Sequence, residues 1–389
     1  MNLNLSHQEK AMENCDVLIV GGGPAGSSCA WQLRKNGMDV MVMDKALFPR
    51  DKVCAGWITL AVVDALQLDT EDYGKQHVLQ PISSFRTGLI DGRDVETQYP
   101  GTVSYGIRRY ELDDYLLQRS GARLQLGQPL KTLVKDGTQW IVNDAIATPL
   151  VIGAGGHFCP VARYMGAQLG ADEPAITAKE IEFEMSPLQH FDCQVRGDTP
   201  EIYFCQDLKG YGWCFRKGNY LNIGLGREGG HKLSEHLKYF CDFLKQRGRI
   251  PEDIPDHFHG HAYLLHGHAM RKQVDDGMLL VGDAAGLAYP QSGEGILPAV
   301  ESGLMAATTI IEAAGDYSRA QLQHYSDRLT GRFGAVASSG GIAPQFLRNF
   351  IAGRLLESKW FTRHVVLDRW FLHTRQASLN AGLAAETLR

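Results

Sequence analysis

Two glycine-rich turns about 260 residues apart hold the residue types that grip a phosphorylated nucleotide. The first reads Gly21-Gly22-Gly23-Pro24-Ala25-Gly26, a Gly-x-Gly-x-x-Gly spacing. In such a turn Gly21 permits the tight bend, Gly23 lets the backbone approach a pyrophosphate, and Gly26 lets helix and strand pack closely. A helix opening there presents free N–H groups and a positive dipole end to the phosphates. Asp44 lies 18 positions beyond Gly26, where an acid accepts from ribose hydroxyls, with Lys45 next to it. The second turn reads Gly282-Asp283-Ala284-Ala285-Gly286 and is followed by Gly293-Glu294-Gly295-Ile296. An aspartate at the carboxyl end of a strand can hold the ribityl chain of a flavin. A helix starting near Glu294-Gly295 sets its dipole to favour the negative charge of a reduced flavin ring. A dinucleotide turn and a flavin turn in one chain point to FAD.

These turns need strands behind them, and short apolar runs stand at the right places. Asp16-Val17-Leu18-Ile19-Val20 has strand length, a helical stretch follows through Trp31 and Leu33 to Asn36-Gly37, and Val40 to Met43 ends at Asp44. This is a βαβ unit. Met278 to Val281 is a further run, preceded by the turn-like Asp275-Asp276-Gly277. Between Ala178 and Gly226 the pattern changes to alternation, as in Tyr211-Gly212-Trp213-Cys214-Phe215. That predicts a mainly antiparallel sheet with one buried face per strand, roofing a substrate pocket. The aromatic residues on it (Phe183, Tyr203, Phe204, Tyr211, Trp213 and Phe215) suit an apolar or flat substrate or ordinary core. The predicted class is α/β. A discontinuous Rossmann-like FAD-binding domain takes 14–78, 106–175 and 262–316, and an antiparallel β-sheet substrate domain takes 79–105 and 176–261. A polar tail (1–13) and a C-terminal helical region (317–389) complete the chain.

Composition narrows the class further. The 389 residues suffice for two or three domains, with 44% hydrophobic and 21% charged content typical of a sizeable core. A net charge of -5 argues against a nucleic-acid surface. Met1 to Asn14 is polar, unlike a secretory signal, and no run of about 18 uncharged apolar residues occurs. Gly295 to Ala314, the most apolar stretch, carries Glu301 and reads as a packed helix. Eight cysteines without CxxC spacing read as free thiols of a reducing compartment, which predicts a cytoplasmic protein. His257, His259, His261, His266 and His268 cluster, but no acid or thiol stands at a supporting spacing. No metal is predicted, and they read as surface or edge-strand histidines. Phe346, Phe350, Trp360-Phe361 and Trp370-Phe371 are interleaved with Arg and Lys. They either pack on the FAD domain or rest against a membrane, making the protein peripheral to it.

Together the motifs resemble the FAD-dependent oxidoreductases of the p-hydroxybenzoate hydroxylase type, and more closely their geranylgeranyl reductase branch. The resemblance spans roughly residues 14 to 315. Phe48-Pro49-Arg50-Asp51-Lys52-Val53-Cys54-Ala55-Gly56 is similar to the branch's F-P-R-x-K-x-C-G-G segment beside the flavin, with Ala55 where a second glycine is usual. Arg109-x-x-x-Asp113 matches its R-x-x-F-D element, with Leu112 in the Phe position. Gly293-Glu294-Gly295-Ile296, Ala299 and Ser302-Gly303 match G-E-G-I-x-x-A-x-x-S-G, and Gly210 to Lys217 resembles Y-x-W-x-F-P-K with Arg216 for proline. One departure stands out: Gly155 in Ala154-Gly155-Gly156 replaces the acid of an A-D-G motif tied to FAD and nicotinamide use.

The resemblance implies a cofactor and a reaction. FAD would be bound by Gly21, Gly23, Gly26, Asp44, Lys45, Cys54, Ala55, Arg109, Gly282, Asp283, Gly293, Gly295 and Ile296. Tyr211, Trp213 and Phe215 would meet the substrate. The implied reaction is reduction of a carbon–carbon double bond in a hydrophobic, isoprenoid or lipid-like molecule. Hydride passes from flavin N5 to one alkene carbon, and an acid, Cys54 or Tyr211, protonates the other. The reductant is NAD(P)H or a protein electron donor. A monooxygenase on the same fold is the main alternative. A halogenase is disfavoured because Trp213-Cys214-Phe215 is not W-x-W-x-I-P, and a bare electron carrier leaves the substrate-type sheet unexplained.

Overall fold

The computed structural model describes residues 12–168, 175–230, 232–267, 271–334 and 354–379. His268, Phe346 and Phe350 lie outside them. Val17–Val20 is buried along its whole length, as a strand with both faces covered must be. It belongs to a six-stranded sheet ordered Val274–Asp275, Met278–Leu280, Val151–Gly153, Val17–Val20, Val40–Asp44 and Arg123–Leu126. All neighbours pair in parallel except the first two. The register sets Val20 beside both Met43 and Gly153, and Gly153 beside Leu280. The turns that follow these strands therefore open on one edge of the sheet, where doubly wound folds take their ligands.

Two helices cover that edge. Pro24–Lys35 starts directly after the first glycine turn, with proline in its first turn where a missing N–H is harmless. Ile296–Ala313 packs across it, and Gly303 is the contact: a Cβ there would lie 2.3 Å from the Ala25 carbonyl oxygen. Ser302 Oγ accepts from the Gly282 N–H at 2.9 Å, tying this helix to the second turn. Ile296–Ala313 is long and apolar enough to span a membrane by composition, yet 78% of it is buried within the protein. Its Glu301 is paired with Arg332.

The seven-stranded sheet runs in the order His259–Tyr263, Ile176–Glu184, Tyr220–Glu228, Gly210–Lys217, Glu201–Phe204, Ser84–Leu89 and Asp94–Gln98. Every pairing is antiparallel except Glu201–Phe204 with Ser84–Leu89. Period-two alternation sends Gly212 and Cys214 to one face and Tyr211, Trp213 and Phe215 to the other. The expectation of one buried face per strand is corrected for Gly210–Lys217 and Tyr220–Glu228, both of whose faces are covered. Leu233–Gln246 lays Leu237, Phe240, Phe243 and Leu244 against Cys214, Leu221 and Ile223. The segment 354–379 lays Leu356, Val366, Leu367 and Phe371 against Ile202, Trp213 and Phe215. That segment includes a π-helix, Thr362–Phe371, anchored to the edge strand by Tyr99–Asp368 (2.7 Å) and by Arg363 donating to the Gln98 carbonyl (2.7 Å). The eight cysteines are unpaired, and all but Cys54 are buried.

Candidate active site

The two sheets meet over a cavity of about 770 Å³, within the size range of cofactor and ligand sites. Its first end is built by the N-terminal turn. Gly21 has φ +120°, a conformation that suits glycine, and a Cβ there would lie 2.3 Å from the Ala154 carbonyl oxygen. Asp44 accepts from the Gly22 N–H (2.8 Å) and the Ala46 N–H (2.9 Å), so the turn itself aims its carboxylate. Gly23, Asp44 and Lys45 line this end. Gly26 sits behind the wall, packed on the Gly21 carbonyl.

The middle is charged. Arg109 grips Asp113 through two N–H groups at 2.6 and 2.8 Å, and Arg50 reaches the same carboxylate at 3.2 Å. Asp283 faces them from the second turn. Burial alone would raise its pKa, but His261 and Lys52 hold it below the ordinary carboxylate value. Gly282 lies behind the wall and shapes that turn. A Cβ on Gly295 would reach within 3.2 Å of Asp283 Oδ1, filling the corner between the aspartate and the helix N-terminus. An anion-favouring helix start, an aspartate beside it and a phosphate turn upstream are the donor set FAD requires, and these residues fit it.

The far end is aromatic. Cys54, Ala55, Trp57, Tyr211, Trp213, Tyr263, Gly293, Gly295, Ile296 and Phe371 line it. Trp57 stacks on Phe371 at 5.5 Å, and Phe371 meets Tyr211 edge-on at 5.5 Å. Phe215 does not reach the cavity and instead packs behind Trp57 at 5.7 Å. The Tyr211 hydroxyl donates to the Ser292 carbonyl, linking the seven-stranded sheet to the turn before Gly293. Burial holds its phenol well above the usual pKa.

Behind Cys54 and Ala55 lies a buried polar network that the sequence left unremarked. Lys217, 1% exposed, donates to the carbonyls of Ala55 (3.0 Å) and Ile107 (2.9 Å) and pairs with Glu182 at 2.5 Å. Asn222 donates to the Cys54 carbonyl (3.1 Å) and to Glu180 (3.0 Å), and accepts from Trp213 Nε1 at 2.7 Å. Burial pushes the Glu180 carboxyl up to about 7, against the lowering influence of the Cys54 N–H, Lys217 and Asn222. The network holds the Cys54–Gly56 loop and the Trp213 ring in one geometry.

Several wall residues escaped sequence reasoning. Trp57 and Phe371 arrive from opposite ends of the chain, with no spacing to connect them. His261 lies on an edge strand, as one of the two expectations had it, and faces the cavity on the same strand face as Tyr263, a placement the sequence reading did not draw. Period-two alternation from Tyr263 was the available signal. At Gly155, where an acid was expected, the turn is braced by Arg271. Its guanidinium donates to the His157 carbonyl (3.1 Å) and the Ala284 carbonyl (3.0 Å), joining this turn to the Asp283 turn.

Comparison with known proteins bears on the family and the fold. Residues 19–69 match the family model described as NAD(P)-binding Rossmann-like domain. The chain is 29% identical over 337 residues to digeranylgeranylglycerophospholipid reductase from Methanocaldococcus jannaschii, covering 80% of this chain and 81% of that one. It is 30% identical over 351 residues to menaquinone reductase from Mycolicibacterium smegmatis, covering 78% of each. A solved structure of a geranylgeranyl bacteriochlorophyll reductase-like protein from Thermoplasma acidophilum superposes with a TM-score of 0.72. That likeness holds at 24% identity over 89% of this chain and 88% of that one.

Proposed function

Because the chain belongs to the geranylgeranyl reductase-like branch of the FAD-dependent oxidoreductases, we propose that it reduces a carbon–carbon double bond in an isoprenoid or other lipid-like substrate. One observation carries the choice of substrate: the cavity runs directly into a chamber walled by Trp57, Tyr211, Trp213, Tyr263 and Phe371. A prenyl chain gains apolar burial there and asks for no hydrogen bonds in return.

In this reading Gly21, Gly23, Gly26, Asp44 and Lys45 serve the ADP part of FAD. Arg109, Gly282 and Asp283 serve its middle, and Cys54, Ala55, Gly293, Gly295 and Ile296 border its ring. Bound FAD supplies the electron pair as hydride. The protein holds the alkene in place, excludes water and delivers a proton to the second alkene carbon. Cys54 is the first candidate donor: its Sγ accepts from the Gly56 N–H at 3.4 Å, which leaves its own S–H to give. Tyr211 is the second, and must leave the Ser292 carbonyl before its proton can move. Tyr211 and Trp213 orient the substrate, and Phe215 acts on it through Trp57. Reductant comes from NAD(P)H or from a protein electron donor. Leu355 and Trp360, 39% and 67% exposed beside Lys359 and Arg363, form the face that rests on lipid and admits the substrate.

The test is anaerobic. FAD-loaded protein is reduced chemically, mixed with menaquinone or a geranylgeranyl lipid, and the lipid is weighed by mass spectrometry. Gain of two hydrogens per saturated bond is expected. Absence of saturated product, with an oxygen-dependent hydroxylated product in air, would replace the reductase with a monooxygenase.

A further inference from the structure

Lys52 and His261 both line the cavity, and the function proposed above gives neither a task. Lys52 Nζ lies 2.6 Å from His261 Nε2, and Asp283 Oδ2 stands 3.9 Å from the same nitrogen. Pairing of His261 with Ala178 in the sheet fixes the direction of the imidazole, which stacks on Tyr263 at 6.2 Å. Arg50 and Arg109 already share Asp113. Among the described residues, no carboxylate forms a direct ion pair with Lys52. Withdrawal from solvent and the charge of Arg109 push the Lys52 ammonium down to about 8, with Asp283 acting in the opposite direction.

The choice of partner is informative. A carboxylate in contact with Lys52 would hold it in place but cancel its charge. A neutral imidazole accepts one hydrogen bond and leaves the charge intact. The result is a fixed cation on the cavity wall, with the ionised Asp283 acting on it across His261 rather than in direct contact. A cation in such a place favours arrival of an anion. Uptake of a hydride, two electrons and one proton, by neutral oxidised flavin leaves the ring with one negative charge.

We propose that Lys52, anchored by His261, is the counter-charge of the reduced flavin. The proposal rests on the FAD reading above. It concerns the energy of the reduced state, so its readout is a potential rather than turnover.

The experiment uses the full chain loaded with FAD, as wild type and as Lys52→Met, Lys52→Arg and His261→Gln. FAD content is measured first, and then the midpoint potential by equilibration with a redox dye. Lys52→Met should lower the potential by at least about 30 mV, a tenfold change in a two-electron equilibrium. Lys52→Arg should stay near wild type, and His261→Gln should fall between. An FAD-loaded Lys52→Met protein with an unchanged potential overturns the proposal. If Lys52→Met takes up no FAD, His261→Gln decides, and a wild-type potential in that variant overturns it equally. A wild-type chain that takes up no FAD instead overturns the FAD reading on which the proposal stands.

Discussion

Glu180 and Asp283 are both carboxylates drawn out of bulk water, and their neighbours send them in opposite directions. Asp283 faces His261 and Lys52 and stays ionised, so it can accept from a ribityl hydroxyl. Asp283→Ala should therefore yield folded, colourless protein, and full yellow colour after purification would refute the placement of that turn. Glu180 is the reverse, with burial lifting it from 4.5 to about 7. A carboxyl whose folded pKa is raised binds more protons folded than unfolded, so it costs stability as pH rises through that window. Below pH 4.5 the penalty is absent, and above pH 7 it is complete, at ~3 kcal/mol. Glu180→Gln should gain on wild type in melting temperature between pH 5 and pH 8, and parallel pH curves for the two proteins would count against this. The glycines and Asp44 were legible because their chemistry is local to a turn. Glu180 and the contacts of Lys217 were not, since Lys217 closes a matched motif but serves the Ala55 carbonyl 162 positions away, and nothing in either segment announces the other.

Among the elements, the helices Pro24–Lys35 and Ile296–Ala313 decide whether both turns serve one ligand. Their starts converge on the cavity only while Gly303 lets the second helix settle on the Ala25 carbonyl. Gly303→Val inserts atoms where a Cβ already overlaps backbone, and the helix has to move. The expected cost is about 1–3 kcal/mol in denaturant unfolding, with weakened FAD affinity. Loss of stability with FAD affinity intact would mean that the helix contact does not position the site. The strand pattern Tyr211–Phe215 was readable from alternation, and so was its split into two faces. What covers each face was not. Alternation records that a side chain is buried, not whether Phe240 or Phe371 lies over it.

In the whole molecule, three pieces close one chamber: the six-stranded sheet and its turns, the seven-stranded sheet, and the segment 354–379 that seals the aromatic end with Phe371. That segment also carries the exposed Trp360, the largest apolar side chain on its outer face. Trp360→Ser should reduce sedimentation with vesicles of phosphatidylethanolamine and phosphatidylglycerol and leave FAD content unchanged. Equal sedimentation of the two proteins would remove the membrane contact from the proposed function. The sequence by itself determined the cofactor and the class of fold, because a nucleotide turn needs particular residues a few positions apart and a parallel strand needs a short apolar run. Only the tertiary structure decided which residues stand around the reacting end. Lys52 meets His261, Trp57 meets Phe371 and Lys217 meets Ala55 across 162 to more than 300 positions, and such contacts are set by packing between sheets that leaves no periodic trace in the chain.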